Sequence, residues 1–177
     1  MSVIAAVLGS PVSHSLSPAI HRAAFEAAAR AGDYSAIECQ SGTLKAALLS
    51  LRDGGAVGAS VTMPFKEDVI AHLSSLSETA KELNAVKCVV FAKGEIVGHN
   101  TDGDGCCDAL AEQGRVELRG ASVVLLGGGG TARAIALSLL LHGAHVTVVN
   151  RPIEKADSMV VSLSSYGRIK VGSVADI

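Results

Sequence analysis

The sequence predicts an α/β protein built in two units, and three observations carry that prediction. Short apolar runs of strand length alternate with alanine- and leucine-rich stretches of helical length. A run of glycines, Gly127 to Gly130, stands between one such strand and one such helix. A turn-rich stretch, His99 to Gly105 (HNTDGDG), parts the chain into an earlier and a later set of elements. With 177 residues, 49% of them apolar and 18% charged, the chain can bury a real core and has the length of one ordinary domain or two small ones.

In the first unit, Val3 to Leu8 is an apolar run closed by Gly9, Ser10 and Pro11, and Pro18 opens an alanine-rich segment that runs to near Gly32. This predicts a strand, a long polar loop and a helix. Tyr34 to Cys39 alternates loosely and predicts a strand, Thr43 to Leu51 a short helix, and Val57 to Val61 another strand behind Gly54 and Gly55. Such alternation is that of parallel strands joined by helical crossovers. After the loop Thr62 to Lys66 come two helical segments, Glu67 to His72 and Glu78 to Leu83, then a hairpin of Val86 to Phe91 and Glu95 to Val97 through Lys93 and Gly94. The boundary is expected at 101/102, giving units 1–101 and 102–177, with a helix over Cys107 to Gln113 just beyond.

The second unit predicts strand Ser122 to Leu126, the glycine turn, helix Thr131 to His142, strand His145 to Val149, helix Ile153 to Ser165 and a last strand Ile169 to Val171. That is one βαβαβ half of a nucleotide-binding fold. Gly127-x-Gly129-x-x-Ala132 fits the dinucleotide fingerprint with alanine in its last place, for a physical reason. A pyrophosphate needs a tight turn, close backbone approach and a helix amino terminus; the bland alternative is a flexible turn. About 20 residues on, where an NAD enzyme carries Asp or Glu for the ribose hydroxyl, stand Asn150, Arg151 and, one helical turn later, Lys155. Cations suit a 2'-phosphate and are poorly placed against the positive end of a helix dipole unless an anion binds there, although Glu154 could neutralise them.

Composition excludes several classes. A formal charge of -2 with no Lys/Arg block argues against nucleic acid as a partner. The most apolar stretch, Ala134 to Asn150, is broken by His142, Gly143 and His145, so no membrane span is expected. The amino terminus lacks the basic region of a secretory signal. Cys39, Cys88, Cys106 and Cys107 show neither zinc spacing nor a C-x-x-C pair, which predicts reduced thiols in a cytoplasmic protein and no metal. His142 and His145 straddle a turn with no further ligands near in sequence, and neither a G-x-S-x-G elbow nor a Walker loop is present.

His14, Ser15 and Ser17 follow one strand, Thr62 and Lys66 follow another, and Asn100, Thr101 and Asp102 follow the hairpin. Strand-end loops of an open α/β sheet converge on one crevice. Hydroxyls, an ammonium and a carboxylate suit a small polyhydroxylated acid, each of whose oxygens needs a fixed partner. Lys66 and Asp102 could serve as a proton-transfer pair for carbonyl reduction, the ammonium supplying the proton and the carboxylate orienting it. Each also has a bland role: Ser15 and Ser17 as helix caps before Pro18, Thr62 as a turn hydroxyl, Asp102 as a cap, Lys66 as a surface cation.

Taken together, Gly9-Ser-Pro-Val-Ser-His-Ser-Leu-Ser-Pro18, Val61-Thr-Met-Pro-Phe-Lys-Glu67, Asn100-Thr-Asp-Gly103, the turn Gly127 to Arg133 and Asn150-Arg151 resemble, in order, the motifs of the shikimate dehydrogenases, over Val3 to about Lys155. The resemblance implies an N-terminal α/β substrate domain followed by a partial Rossmann NADP-binding domain. It implies NADP-dependent reduction of 3-dehydroshikimate to shikimate in aromatic amino-acid (chorismate) biosynthesis, by a monomer or homodimer. By position, Ser15 and Ser17 would bind the substrate carboxylate, Thr62 the carboxylate or a hydroxyl, and Lys66 and Asp102 would be the catalytic pair. The loop Gly127, Gly128, Gly129, Gly130, Thr131 and Ala132 would hold the pyrophosphate, and Asn150, Arg151 and Lys155 the 2'-phosphate, with Pro152 where a threonine is usual.

Two departures stand out. Ala85-Val86-Lys87-Cys88 has Lys87 where the family pattern has a substrate-binding asparagine, setting a second ammonium near Lys66 and motivating an alternative: a quinate or aminoshikimate dehydrogenase. Family members also run on past the point where this sequence stops. The sequence is therefore expected to hold one whole substrate domain and the first half of the nucleotide domain, lacking the C-terminal third, and a non-catalytic ligand-binding remnant is the alternative of another class.

Overall fold

In β1 (Val3–Gly9) successive side chains point to opposite faces of the sheet, and both faces are covered: Val7 and Leu8 are both buried. β1 pairs in parallel with β2 (Gly32–Glu38) on one side and β3 (Gly58–Val61) on the other. The register sets Val7 opposite Ser60 and Leu8 opposite Val61, so the chain leaves β1 and β3 at the same sheet end. Beyond β3 come β5 (Cys88–Ala92) and β6 (Glu95–His99), with the two-residue β4 (Ser75–Leu76) at the edge, in the order β2-β1-β3-β5-β6-β4.

This sheet is mixed: β1, β2 and β3 run parallel and β5 and β6 form a hairpin, both as expected, and β5 also lies against β3. β5 runs antiparallel to both β3 and β6. The β5–β6 pair is set by the two-residue turn Lys93-Gly94, whose φ of 52° and 81° makes a primed hairpin turn. β4, too short to give a sequence signal, pairs in parallel with β6.

The computed structural model describes residues 2–173 and 175. These fall into two units, Met1–Asn100 and Thr101–Ile177, against the expected division at 101/102. On the Leu8 face of the first sheet, α2 (Leu44–Asp53) and α3 (Glu78–Leu83) close a core of Leu8, Leu44, Leu48, Val61, Phe65 and Val86. On the Val7 face lies a smaller cluster of Val7, Val12 and Tyr34, with Phe25 of α1 (Ser17–Ala27) against it. α1 ends earlier than its alanine content predicts, because Ala29 takes a φ of 50° and its N–H turns back to the Glu26 carbonyl. β2 therefore begins at Gly32, where a Cβ would stand 2.7 Å from the Phe25 ring. The first of the two predicted helical segments after Lys66 is a 3-10 turn, Asp68–His72.

In the second unit α4 (Asp102–Glu112) precedes β7 (Ser122–Leu126), α5 (Gly130–Leu141), β8 (His145–Val149), α6 (Ile153–Leu163) and β9 (Ile169–Val171). The strands are all parallel in the order β7-β8-β9, one half of a Rossmann sheet. α4 starts at Asp102, not at Cys107. The glycines of Asp-Gly-Asp-Gly read as a turn, but Gly103 is buried against the Ala134 carbonyl and Ser138 of α5, and Asp102 and Asp104 in the first turn favour a helix start. Ser138 Oγ donates to Asp104 Oδ1 at 2.7 Å and fastens the pair.

Candidate functional site

Two loops leave the first sheet side by side at the ends of β1 and β3. The Thr62 N–H donates to the Leu8 carbonyl (2.9 Å) and the Ser10 N–H to the Met63 carbonyl (3.0 Å), which ties one loop to the other. Between them opens a cavity of about 370 Å³ whose wall includes His14, Ser15, Ser17, Thr62 and Lys87. The structure thus brings together four of the residues expected to bind substrate.

Their support is local. Ser15 Oγ accepts from the Ser17 N–H at 3.2 Å, an arrangement that orders the turn into α1; Leu16, not a serine, occupies the cap position and makes no side-chain cap bond. The turn after Thr62 is closed by the Phe65 N–H donating to the Thr62 carbonyl (3.0 Å), and the buried Phe65 ring pins it to the core. Lys66 follows on that turn, its carbonyl accepting from the Val86 N–H at 2.8 Å, while the Lys87 carbonyl accepts from the Val61 N–H and the Lys87 N–H donates to the His99 carbonyl. The two lysines are thereby held on adjacent backbone segments. Buried Asn100, at the end of the unit, donates from Nδ2 to the Ala85 carbonyl at 3.0 Å. Lys66 and Asp102 belong to different units, and each is placed by its own: Asp102 opens α4.

Sequence reasoning missed His21 and Ser60 of this cavity, and Tyr34, which bonds to Ser60 and stacks on His21. Tyr34 is 3% exposed and donates from its hydroxyl to Ser60 Oγ at 2.7 Å, and His21 stacks on its ring with centroids 4.1 Å apart. His21 and Ser60 line the cavity themselves. Burial pushes the Tyr34 hydroxyl above its usual value, the Ser60 bond opposing it. The signal was available, since Ser60 and Thr62 alternate with buried Val61 and so share a face, and a buried tyrosine requires a hydroxyl partner.

In the second unit Gly127 has a φ of 123°, which an L side chain rarely adopts, and its N–H donates to the Val149 carbonyl at 2.9 Å. Gly129 caps α5 in an extended conformation with no side-chain bond to the first turn, and Gly130, Thr131 and Ala132 begin the helix. The first N–H groups of a helix have no partner within it and can take an anion. A Cβ on Gly128 would stand 3.0 Å from both Asn150 Cγ and Lys155 Cβ, so the bare backbone of the turn, the end of β8 and the first turn of α6 form one close-fitting cradle. Asn150 Nδ2 donates to the Pro152 carbonyl at 2.7 Å, and Arg151 and Lys155 are exposed.

Two family models match. Residues 7–89 match the shikimate dehydrogenase substrate binding domain, and residues 109–176 the model described as shikimate / quinate 5-dehydrogenase. The solved shikimate 5-dehydrogenase of Thermus thermophilus, in complex with NADP(H) and shikimate, is 34% identical with a TM-score of 0.84 over 97% of this chain and 68% of its own. The chain belongs to the shikimate dehydrogenase family. The NADP(+) shikimate dehydrogenase of Xanthomonas oryzae pv. oryzae is 42% identical over 97% of this chain and 61% of its own length. The chain spans about three fifths of the length of the curated relatives it matches. Another relative, the 5-ketofructose reductase of a Gluconobacter strain, has a TM-score of 0.91 at 30% identity over 98% of this chain and 63% of its own.

Within this shikimate dehydrogenase frame, the cavity and Lys66 fall in the first matched stretch, the glycine turn in the second, and Asp102 between them. Among the described residues no three His, Cys, Asp or Glu side chains group to hold a metal, and no helix is long and apolar enough to cross a membrane.

Proposed function

We propose that this chain supplies the substrate cavity and the first nucleotide half of an NADP-dependent, cytoplasmic dehydrogenase that interconverts 3-dehydroshikimate and shikimate in aromatic amino-acid biosynthesis. The observation that carries the reading is the cavity at the ends of β1 and β3, where Ser15, Ser17 and Thr62 present hydroxyls together. Serine and threonine hydroxyls can donate to a carboxylate and exchange hydrogen bonds with ring hydroxyls, so they fix a hydroxylated acid by its oxygens.

The residues of the second unit fit the cofactor, because the cradle at Gly128 has room for backbone approach and none for a side chain. Bound there, the nucleotide would carry the hydride, NADPH giving it to 3-dehydroshikimate and NADP+ taking it from shikimate in the reverse direction. The turn from Gly127 to Gly130 with Thr131 and Ala132 would hold the pyrophosphate, and Arg151, Lys155 and Asn150 the 2'-phosphate. Lys66 Nζ would deliver a proton to the oxygen that becomes the new hydroxyl, and Asp102 would orient it, a contribution of about 10²–10⁴ in rate.

The test is NADPH formation from shikimate. Lys66→Ala should lower kcat at least about a hundredfold with little change in nucleotide binding, and turnover that survives it removes Lys66 from the mechanism. Arg151→Ala should weaken NADP about tenfold and leave NAD unaffected, the loss of one charge-assisted phosphate contact. Equal use of both nucleotides by the unaltered protein overturns the 2'-phosphate reading. The second model's description also names quinate, and a shikimate and quinate panel decides between the substrates.

A further inference from the structure

α1 is an 11-residue helix with no buried residue and no side-chain bond at its amino-terminal cap. A helix of that length is marginal unless a face of it is packed. One face is: His21 stacks on Tyr34, and Phe25, four residues on, rests against the cluster of Val7, Val12 and Tyr34. A second apolar face stays open to solvent. Ile20, Ala23, Ala24 and Ala27, with Leu16 at the cap, recur at spacings of three and four, and all are exposed, Leu16 by 72% and Ile20 by 63%. The charged flank of the helix is tied elsewhere, because Arg22 Nε donates to Asp33 Oδ1 of β2 at 2.8 Å. β2 is the edge strand, so this bond turns Arg22 and Glu26 toward the edge of the sheet and the apolar stripe toward β3 and β5.

Over those strands the sheet is bare. A groove of about 400 Å³ runs beside α1, lined by Val3, Ala5, Val57 and Val90 among others, and no Asp, Glu, Lys or Arg is among its described lining residues. Val57 is 49% exposed and Val90 38%. An uncharged stripe and an uncharged groove thus lie side by side on one chain. We infer that this face is an interface between two copies of the chain, closed by a two-fold axis. The two sheets enclose a shared layer of two α1 helices, and each helix fills the half of the other copy's sheet that its own α1 leaves bare. At about 100° per residue, Leu16, Ala23 and Ala27 stand away from His21 and meet the other copy's groove, while Ile20 and Ala24 stand to the side and meet the other copy's α1. Every contact is made twice, and Arg22 and Glu26 remain at the rim, in water. The inference goes beyond the proposed function and does not depend on it.

Sedimentation equilibrium of the 177-residue chain through the micromolar range, without substrate or nucleotide, tests it. The mass should pass from one chain to two as concentration rises and go no further. High salt should not split the pair, since no charge crosses the interface. Ile20→Glu, at an exposed helix position, should keep the circular dichroism of the parent and weaken dimerisation at least about a hundredfold, because a charge would have to be buried. Ile20→Leu should keep the dimer. Under oxidised glutathione, Ala24→Cys should join to its own copy through a disulfide, while Arg22→Cys, on the flank turned to the sheet edge, should stay at the background of the parent. A single-chain mass at every concentration, a mass that grows without limit, or a dimer that dissolves in salt overturns the inference. So does a dimer that Ile20→Glu leaves intact, or cross-linking at Arg22→Cys equal to that at Ala24→Cys.

Discussion

Glu38 shows how a single exposed side chain can organise a site it does not line. Its two carboxylate oxygens hold Ser10 and Val12, the first turn of the loop that carries Ser15 and Ser17. Because Glu38 is exposed, Glu38→Ala should change stability by no more than about 0.5 kcal/mol. It should nevertheless weaken binding of the proposed substrate, shikimate, severalfold in a calorimetric titration, through a loop less well placed before the ligand arrives. A large loss of stability with unchanged affinity would show that the clamp serves the fold alone. The candidate residues most legible in the sequence were those in loops, because Ser15, Ser17 and Thr62 follow apolar runs whose ends are easy to see. Tyr34, Ser60 and His21 were not legible. They sit within strands and a helix, where their role depends on which neighbour lies across the sheet, and a linear pattern does not record that.

At the scale of elements, glycine marks the places where backbone approaches backbone, and the two glycine-rich segments of the second unit use that freedom differently. Gly127 needs its positive φ to turn from β7 toward α5, so Gly127→Ala should cost about 1–3 kcal/mol and abolish nucleotide binding, read by denaturant unfolding and by titration with NADP. Gly103 needs no unusual φ; it lacks a side chain so that α4 can touch α5 at Ala134 and Ser138. Gly103→Ala should therefore destabilise by about 3 kcal/mol through overpacking. Ser138→Ala, which only removes the bond to exposed Asp104, should cost about 1 kcal/mol. The reverse ranking would mean that the hydrogen bond, not the close approach, holds the helices together. The same distinction explains why the sequence pattern placed the strand, glycine turn and helix of β7–α5 within a residue but mistook the first turn of α4 for a loop. Apolar periodicity announces the former, while the latter exists because a second helix covers it.

Over the whole molecule, the alternation of apolar runs was enough to divide the chain, to name every described strand but the short β4 and to read β5 and β6 as a hairpin through Lys93-Gly94; it left open that β5 also lies antiparallel to β3, a pairing across the sheet that a linear pattern does not record. One property belongs to neither a single site nor a single element: both units bury groups whose neutral form the fold prefers. Burial raises Tyr34, Cys39 and Cys88 in the first unit, and in the second it pushes Cys107, with the neighbouring Cys106 and then Asp104 and Asp108 adding to it, up to about 11 from an ordinary thiol value of 9.0. In each case the folded chain holds its proton more tightly than the unfolded one. The stability these protons provide is complete below the unfolded values, 9.0 for the thiols and 10.0 for the phenol, and is lost as pH climbs through the folded ones. Melting temperatures in the presence of a reductant should therefore stay level up to about pH 9 and decline toward about pH 11. Cys107→Ala, which removes the thiol from a closed site, should make that decline shallower even if it lowers the melting temperature at neutral pH. A melting temperature that stays level to about pH 11 in the parent, or an equally steep decline in Cys107→Ala, would show that these buried protons do not govern the alkaline limit.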